Sequence, residues 1–263
     1  MTMADKEAAD TALDFHRGTY ADASMLADWQ MLPADQWPDA WFTYNEKVYP
    51  RLESTPLPVP ESPAPGAGAD WLARRASTRT PLDEMALADL ARVLWDTTHS
   101  RPADEDAALA WHRPYPSAGG RLGCELYVIA RNVTGLVPGV YNYGVARHEL
   151  VRLRSGMTPE VLRFLFGDGW MERTCAFVVA TVSLDRLETK YGQRGYRYGL
   201  VEAGGAAQTL CLVAASASLG TCLVGGFADV PMSQLLFCTP NSEIPVLAVA
   251  FGDAEKGRPD ARS

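Results

Sequence analysis

The longest apolar stretch of the chain lies between Lys190 and Phe227, and its polar residues are confined to particular places. It opens on a Lys-Tyr pair and two arginines, becomes almost purely small and apolar, and closes on Gly225-Gly226. Glu202 and adjacent glycines interrupt it, so it falls short of the about 20 unbroken apolar residues that a membrane span needs. A helix this apolar is typical of a protein core. The pattern therefore predicts a long buried helix, ended by Gly220, with a candidate site at each end.

Shorter apolar and alternating runs predict strands and further helices around this long helix. Continuous apolar runs predict buried strands at residues 125–130, 175–182 and 244–253, and residues 139–153 alternate about a polar turn, as in a β-hairpin. Capping signals predict three more helices: Thr80 to about Trp95, residues 158–167 and residues 231–237. Because strands and helices mix without regular strand–helix alternation, the pattern favours an α+β fold.

Composition divides the chain into four parts. Residues 1–53 form a predicted N-terminal arm that is rich in aromatic residues, which usually pack against another surface. Residues 54–70 contain five prolines and two glycines, and this predicts an extended linker because proline fits neither a helix interior nor a central strand. Residues 71–253 form the predicted main domain, and residues 254–263 form a polar tail.

The charge and the cysteines narrow the class of protein. The 263 residues carry a net charge of −8, from 24 Lys and Arg against 32 Asp and Glu. Nucleic acids and anionic membranes are bound by basic surfaces, so we expect neither as a partner. Five well-separated cysteines form no CxxC pair and favour reduced thiols of a cytosolic protein. The first ten residues lack a basic start followed by an apolar core, so no secretory signal is predicted and a cytoplasmic location is expected.

Two segments before the long helix contain candidate binding residues. ARRASTR (73–79) places arginines and hydroxyls at a predicted helix start, which suits a phosphate, although a solvated basic loop is equally consistent with the local sequence. PSAGG (116–120) precedes a strand; its glycines would let the backbone approach a ligand, and Ser117 could donate a hydrogen bond. It lacks the spacing of a dinucleotide-binding motif or a P-loop, and such a segment taken alone is more often a tight turn.

The two ends of the long helix contain two more candidate sites. Lys190 and Tyr191 can exchange protons if burial or a nearby cation changes their pKa values, and Arg194 and Arg197 follow within two helical turns. An exposed amphipathic helix start is the alternative. Backbone N–H groups of Gly225-Gly226 can face an anion or a carbonyl. No HExxH, CxxC or GxSxG motif is present, and the four histidines stand apart from the cysteines, so no metal site is expected.

The order of these segments is much more specific than any one of them. RRASTR, YPSAGGRLGCELYVIA, PGVYNY, KYGQRGYRYGLVEAGGAAQTL, LGTCLVGGF and a closing VLAVAFG together resemble the nitroreductase-like flavoproteins. Within that superfamily the chain is most similar to the SagB-type, or thiazoline-oxidase, branch, which includes FMN-dependent dehydrogenases of azole-containing ribosomal peptides. The resemblance covers roughly residues 70–253, and the N-terminal arm resembles the same branch more loosely.

This resemblance implies a fold, an assembly and a cofactor. The fold would be α+β, with a mostly antiparallel central sheet flanked by helices, and the protein would be a homodimer that binds FMN at the subunit interface. Lys190 and Tyr191 match the Lys-Tyr pair that azoline dehydrogenases use in catalysis. The implied FMN-binding residues are Arg75, Ser77 and Arg79 at the phosphate and ribityl groups, Pro116, Ser117, Ala118 and Gly119 over the flavin ring, and Gly225 and Gly226 near its other side.

The chain departs from the family pattern in two places. Gly120, Arg121 and Leu122 stand where family members often have a hydrophobic residue and a Tyr-Pro pair. Ala76 replaces the second member of the more usual Arg-Arg-Ser run. These differences bear on the substrate pocket more than on the FMN site.

The implied activity is FMN-dependent oxidation of thiazoline or oxazoline rings to azoles in a peptide natural product. Tyr191, as a phenolate assisted by Lys190 and nearby arginines, is the predicted base that removes a ring C–H proton while the flavin takes a hydride. Lys190 either tunes Tyr191 or shares this role. Alternatives are NAD(P)H-dependent reduction of a dehydroamino acid, nitro group or quinone, oxidation of a carrier-bound heterocycle or cyclic dipeptide, and a flavin-free scaffold. The expected partners are a modified peptide or small heterocyclic substrate and a biosynthetic enzyme such as a cyclodehydratase.

Overall fold

A computed structural model of the chain describes residues 47–59, 71–72, 74–99, 101–102, 111–167, 169–240 and 242–254. The predicted aromatic arm up to residue 46 lies outside these residues, and so do residues 60–70 of the predicted linker and residues 255–263 of the predicted tail. The described residues therefore include most of the predicted main domain.

Strands and helices alternate irregularly along the described residues. The strands are β1 (Ser54–Pro56), β2 (Met85–Ala86), β3 (Arg101–Pro102), β4 (Trp111–His112), β5 (Cys124–Ala130), β6 (Val133–Thr134), β7 (Gly139–Gly144), β8 (Glu149–Ser155), β9 (Ala176–Ser183), β10 (Gly220–Val224) and β11 (Glu243–Gly252). The helices are α1 (Leu87–Thr98), α2 (Pro159–Phe166), α3 (Leu184–Tyr191), α4 (Arg194–Ser216) and α5 (Asp229–Leu235). The strands predicted from apolar runs and from the hairpin are confirmed to within about two residues.

A seven-stranded sheet with the order β1-β8-β7-β5-β9-β11-β10 is the centre of the described domain. Every neighbouring pair in it is antiparallel. Helices α1 and α4 bury apolar side chains against one face, and α2 and α5 do so against the other. The predicted α+β fold with a mostly antiparallel central sheet is therefore confirmed.

Helix α4 is the predicted long helix, and small residues let it lie close to its neighbours. A Cβ at Gly199 would fall within contact distance of Val182 on β9, and one at Gly195 would lie 2.9 Å from Leu187 on α3. By length and composition α4 is able to cross a membrane, but 56% of its most apolar window is buried inside the domain. Among the described residues it is the core helix of a folded domain, which is what the sequence predicted.

The prediction of a helix from Thr80 is wrong, because the chain there pairs with the sheet. Ser77 forms a parallel bridge with Thr221, and Pro81 forms an antiparallel bridge with Gly252. The backbone N–H of Thr78 also donates to the Thr221 carbonyl at 2.8 Å. Helix α1 consequently begins only at Leu87. These long-range hydrogen bonds outweigh a local capping signal of about 1 kcal/mol.

Lys190 and Tyr191 end a short helix, whereas the sequence placed them at the start of the long one. Gly192 follows them with φ +53°, a backbone conformation that favours glycine, and α3 ends there. The backbone then resumes helical geometry for α4 at Arg194. This break turns the Lys-Tyr pair toward the loop before β5.

The first residues of the predicted linker pair with the sheet edge. Ser54, Thr55 and Pro56 lie opposite Val151, Leu150 and Glu149, so β1 is an edge strand, where proline is tolerated. The buried ring of His148 lies 3.2 Å from the Pro58 carbonyl and 2.8 Å from Tyr143 Oη. Burial lowers the pKa of His148. The neutral imidazole of His148 therefore links the turn before β8 to the segment that follows β1.

Candidate active site

The loop before β5 contacts the end of α3, which brings two of the sequence-predicted motifs together. Gly119 in this loop has φ +54°, and a Cβ added there would lie 3.0 Å from Lys190 Nζ and still closer to Tyr191 Oη. Any other residue at this position would be strained and would displace these two side chains. Ser117 through Gly119 and the Lys190-Tyr191 pair therefore share one site.

Reciprocal arginine contacts attach α3 to this loop. Arg121 Nε donates to the Arg186 carbonyl at 2.9 Å, and Arg186 Nη1 donates to the Leu122 carbonyl at 2.8 Å. Arg186 also forms an ion pair with the buried carboxylate of Glu125. Arg121 and Leu122, which depart from the family pattern, thus support the position of Lys190.

A buried acid from α4, whose role the sequence did not reveal, completes the site. Glu202 is 1% exposed. Its Oε2 accepts from Ser117 Oγ at 2.8 Å, and its Oε1 accepts from the Cys124 backbone N–H at 3.1 Å. In the sequence Glu202 was only an interruption of an apolar run. A single acidic residue within an apolar core helix nonetheless indicates a specific polar contact, because a buried carboxylate is costly unless hydrogen-bond donors surround it.

Burial shifts the pKa values of Lys190 and Tyr191 in opposite directions. Burial lowers the pKa of Lys190, and the neighbouring Arg121 lowers it further. Burial raises the pKa of Tyr191, Tyr198 raises it too, and Arg121 offsets part of this rise. The pKa of Tyr191 is thus shifted in the opposite direction to the one that the predicted phenolate requires. Arg194, expected to supply a cationic field for Tyr191, places its Nε 3.2 Å from the Tyr198 hydroxyl instead.

A basic cavity of about 320 Å³ lies at the other end of α4, beside the start of β10. Its lining residues are Arg74, Arg75, Ala76, Thr78, Ala215, Ser218, Leu219, Gly220, Thr221 and Ala254. Of the three residues predicted to hold the FMN phosphate and ribityl groups, Arg75 lines this cavity, whereas Ser77 and Arg79 are exposed and lie outside its lining.

The lining of this cavity suits a phosphate group. It includes two guanidinium groups and several hydroxyls, and no carboxylate lies among the described lining residues. Arginine binds phosphate with paired, charge-assisted hydrogen bonds. The C-terminal end of α4 contributes a partial negative charge of about half a unit, which two arginines outweigh. The donor set therefore fits the phosphate of FMN.

Within one chain the two parts of the predicted flavin site lie far apart. A Cβ added at Gly205 would lie 3.5 Å from Pro116, and Ala215 further along α4 lines the cavity. About 15 Å of helix separates these two positions. Gly225 and Gly226 follow β10, are exposed, and face open space. Because β10 runs in the same direction as β9, Gly225 and Gly226 lie at the sheet edge where β9 leads into α3, two strand positions away from β9.

Among the described residues, no three or more His, Cys, Asp or Glu side chains are grouped so that they could hold a metal ion.

The described cysteines are free thiols, and burial raises the pKa of Cys124 well above its ordinary value. Its thiol is therefore unreactive at neutral pH, although Cys124 lies at the end of the loop.

Residues 72–253 match the model of the nitroreductase family, a family of oxidoreductases that generally bind a flavin. This chain belongs to the nitroreductase family. The match covers the whole of the described domain except its first strand and the residues next to that strand, and it confirms the superfamily inferred from the order of motifs.

Individual relatives agree with this assignment. A nitroreductase-family protein of Methanocaldococcus jannaschii, MJ1384, is 33% identical over 188 residues, which are 70% of this chain and 89% of that protein. The microcin B17-processing protein McbC of Escherichia coli is 28% identical over 148 residues, 54% of each chain. The McbC match supports the branch predicted from the sequence.

Two solved structures share the fold. A nitroreductase-family structure from Anabaena variabilis superposes with TM-score 0.67 and 24% identity over 93% of this chain. The match covers 46% of that protein, so this chain spans about half its length. A chain from the structure of the E. coli microcin synthetase McbBCD complex with truncated pro-MccB17 superposes with TM-score 0.56 and 20% identity. The match covers 96% of this chain and 97% of that chain.

We predict that Gly119→Ala displaces the Lys-Tyr pair. The new methyl group would collide with Tyr191 and would force a left-handed backbone on alanine, so we expect a loss of about 1–3 kcal/mol in the free energy of unfolding. Gly167→Ala is the matched control, because Gly167 has φ +68° and open space around it. Chemical denaturation measures both, and equal losses would show that Gly119 does not contact Tyr191.

Proposed function

We propose that this chain is an FMN-dependent dehydrogenase that oxidises thiazoline or oxazoline rings to azoles in a peptide natural product. The observation that carries the proposal is the contact of Lys190 and Tyr191 with Gly119, because it puts a base and a hydroxyl donor beside a loop of small residues. The resemblance of this pair to the azoline dehydrogenases supports the reaction class.

Arg75 and Arg74, with the hydroxyls of Thr78 and Thr221, would hold the FMN phosphate in the basic cavity. The loop of Pro116, Ser117, Ala118 and Gly119 would face the flavin ring, and Gly225-Gly226 would leave room beside it. When bound, FMN supplies an acceptor for a hydride from the substrate.

Lys190 Nζ is the group that we assign as base. Its lowered pKa gives it a larger neutral fraction near pH 8 than an exposed lysine has, and a neutral amine can take the C–H proton of the azoline ring. Tyr191 keeps its proton and can donate a hydrogen bond to a ring heteroatom or to the neighbouring carbonyl. The substrate loses one proton to Lys190 and one hydride, which together amount to two hydrogens.

A second copy of the chain would complete the flavin site. Within one chain about 15 Å of helix separates the basic cavity from the loop beside Lys190, and a partner could bring its own cavity next to this Lys-Tyr pair. Helix α4 presents an uncharged stripe for such a contact. Val201 is 66% exposed, Gly204 has open space around it, and Gln208 is exposed one turn on.

The relatives support a peptide substrate and a partner enzyme. McbC carries the name of a microcin-processing protein, and its structure is a complex with two other proteins and a precursor peptide. For this chain we therefore propose a modified peptide as substrate and a biosynthetic partner such as a cyclodehydratase, in the cytoplasm.

Reduction of a nitro, quinone or dehydroamino acid substrate by NAD(P)H is the second candidate function. It is favoured by the 33% identity to a nitroreductase-family protein over 89% of that protein's length. Anaerobic mixing distinguishes the two functions, since a reductase bleaches its flavin with NAD(P)H alone. A dehydrogenase instead bleaches with the azoline peptide.

We expect the purified protein to bind FMN through Arg75. Arg75→Glu replaces a phosphate donor with a repelling charge, so the FMN dissociation constant should rise at least about 10-fold, a typical effect for a charged hydrogen bond. Flavin fluorescence titration measures it. Arg163→Ala is the control, because Arg163 pairs with Glu172 on the exposed side of α2. Wild-type protein that takes up no FMN would contradict the proposed function.

Loss of the base should abolish turnover without loss of flavin. We expect Lys190→Met to lower the rate on a thiazoline peptide about 100-fold or more, while Glu188→Gln on the exposed side of the same helix leaves it unchanged. The wild-type rate should rise with pH and reach half of its maximum below pH 10.5, the ordinary pKa of lysine, because Lys190 must be neutral and its pKa is lowered. Mass spectrometry follows the loss of two mass units; an unchanged rate in Lys190→Met removes it from the mechanism.

The proposed dimer predicts that Val201→Glu separates the subunits. A charge buried at an apolar contact is costly, so we expect monomers in sedimentation velocity and FMN binding weakened together with dimerisation. Val137→Glu is a matched control at a similarly solvent-facing valine away from α4. Monomeric wild-type protein with full FMN affinity would exclude a shared site.

A further inference from the structure

Glu202 is a buried carboxylate for which the proposed reaction has no use. It is 1% exposed, it lies in the middle of the core helix α4, and burial raises its pKa. A carboxylate in such a place is costly unless donors surround it, and replacing it with an apolar residue would often stabilise a core. Its contacts therefore point to a role other than packing.

Those contacts join both ends of the loop before β5. Ser117 Oγ donates to Glu202 Oε2 at 2.8 Å and also accepts from the Leu122 backbone N–H at 2.8 Å. At the far end the Cys124 N–H donates to Glu202 Oε1 at 3.1 Å. One side chain thus holds the loop from Ser117 to Cys124 at two points.

The loop between these points has an unfavourable backbone that needs such support. Gly119, Gly120 and Leu122 all have positive φ, at 54°, 66° and 50°. For leucine this conformation costs about 1–2 kcal/mol, so it persists only where surrounding contacts enforce it. The Ser117 hydroxyl, held by Glu202, bonds the N–H of Leu122 itself.

The loop in turn determines where Lys190 lies. Gly119 contacts Lys190 and Tyr191, and Arg121 and Leu122 exchange hydrogen bonds with Arg186 on the same helix, α3. Covering by the loop and the nearness of Arg121 are also what distinguish the environment of Lys190 from that of an exposed lysine.

We propose that Glu202 is a positioning residue, which holds the loop from Ser117 to Cys124 against α3 and thereby places Lys190 and Tyr191 for catalysis. The catalytic part of this proposal rests on the proposed function. The structural part, that Glu202 controls the surroundings of Lys190, does not depend on the reaction.

The test is to measure the pKa of Lys190 in the 263-residue chain. NMR of ¹³C-labelled lysine gives this pKa, with and without added FMN. The chain has four lysines, Lys6, Lys47, Lys190 and Lys256, so the signals can be assigned by single replacements. In Glu202→Ala we expect the Lys190 pKa to rise toward its ordinary value, because the released loop exposes the ammonium group. In Glu202→Gln the amide oxygen can accept from the Cys124 N–H and the amide N–H can donate to Ser117 Oγ, so we expect no rise.

The sign of the change separates positioning from simple charge loss. Removal of a nearby negative charge would lower the Lys190 pKa in both variants, whereas release of the loop raises it in Glu202→Ala alone. Glu243→Gln is the control, because Glu243 is a second buried carboxylate, bonded to Tyr127 and Thr181 away from the loop. A folded Glu202→Ala protein whose Lys190 pKa is unchanged or lowered overturns the proposal.

Two further measurements test the role of Glu202. If Glu202→Ala does not fold, Ser117→Ala removes one of the two links and should give a smaller rise; no rise overturns the proposal. In FMN-loaded enzyme that oxidises the azoline peptide, Glu202→Ala should lower kcat about 10- to 100-fold with little change in KM, since a misplaced base affects the chemical step. Absence of turnover in wild-type protein would refute the proposed function and would leave the NMR result intact.

Discussion

The close packing of helix α4 is the constraint on which the rest of the structure depends. Gly195 and Gly199 bring its backbone against Leu187 and Val182, and this approach leaves no room for a side chain. Because α4 lies so close to β9 and α3, Glu202 reaches the loop before β5 and the end of α3 reaches Gly119. The same packing that fills the core therefore sets the geometry of the candidate active site, and it does so with residues that have no chemistry of their own.

Buried charges in this domain are placed where they attach one segment to another. Glu202 joins a loop to α4, and Glu125 joins β5 to Arg186 on α3. Glu243 accepts from Tyr127 and Thr181 on neighbouring strands, and Lys47 reaches it from the described end of the N-terminal arm. Each carboxylate is costly to bury, yet once its donors are in place it is a more specific connection than apolar contact.

Much of the fold followed from local patterns. The alternation in β7 and β8, the apolar runs of β5, β9 and β11, and the Thr158 and Gly167 caps of α2 were visible because the residues that form these elements are neighbours in the chain. The errors lay where distant segments compete with local ones. Thr80 and Pro81 carry a good helix-start signal, but the sheet edge offers Thr78 and Pro81 backbone partners, so the helix begins at Leu87. No local pattern contains those partners.

The sequence by itself determined the class of this protein, because its motifs occur in one order and each is short enough to be recognised without a structure. It also determined that a long buried helix would follow the Lys-Tyr pair. Only the tertiary structure decided that Lys190 and Tyr191 end a separate helix, that Gly119 meets them, and that Glu202 holds the loop between. It also lowered the pKa of Lys190 and raised that of Tyr191, since burial and charged neighbours such as Arg121 act on protons through space and across elements distant in the chain. A sequence records which groups are present, but their pKa values depend on what surrounds them after folding.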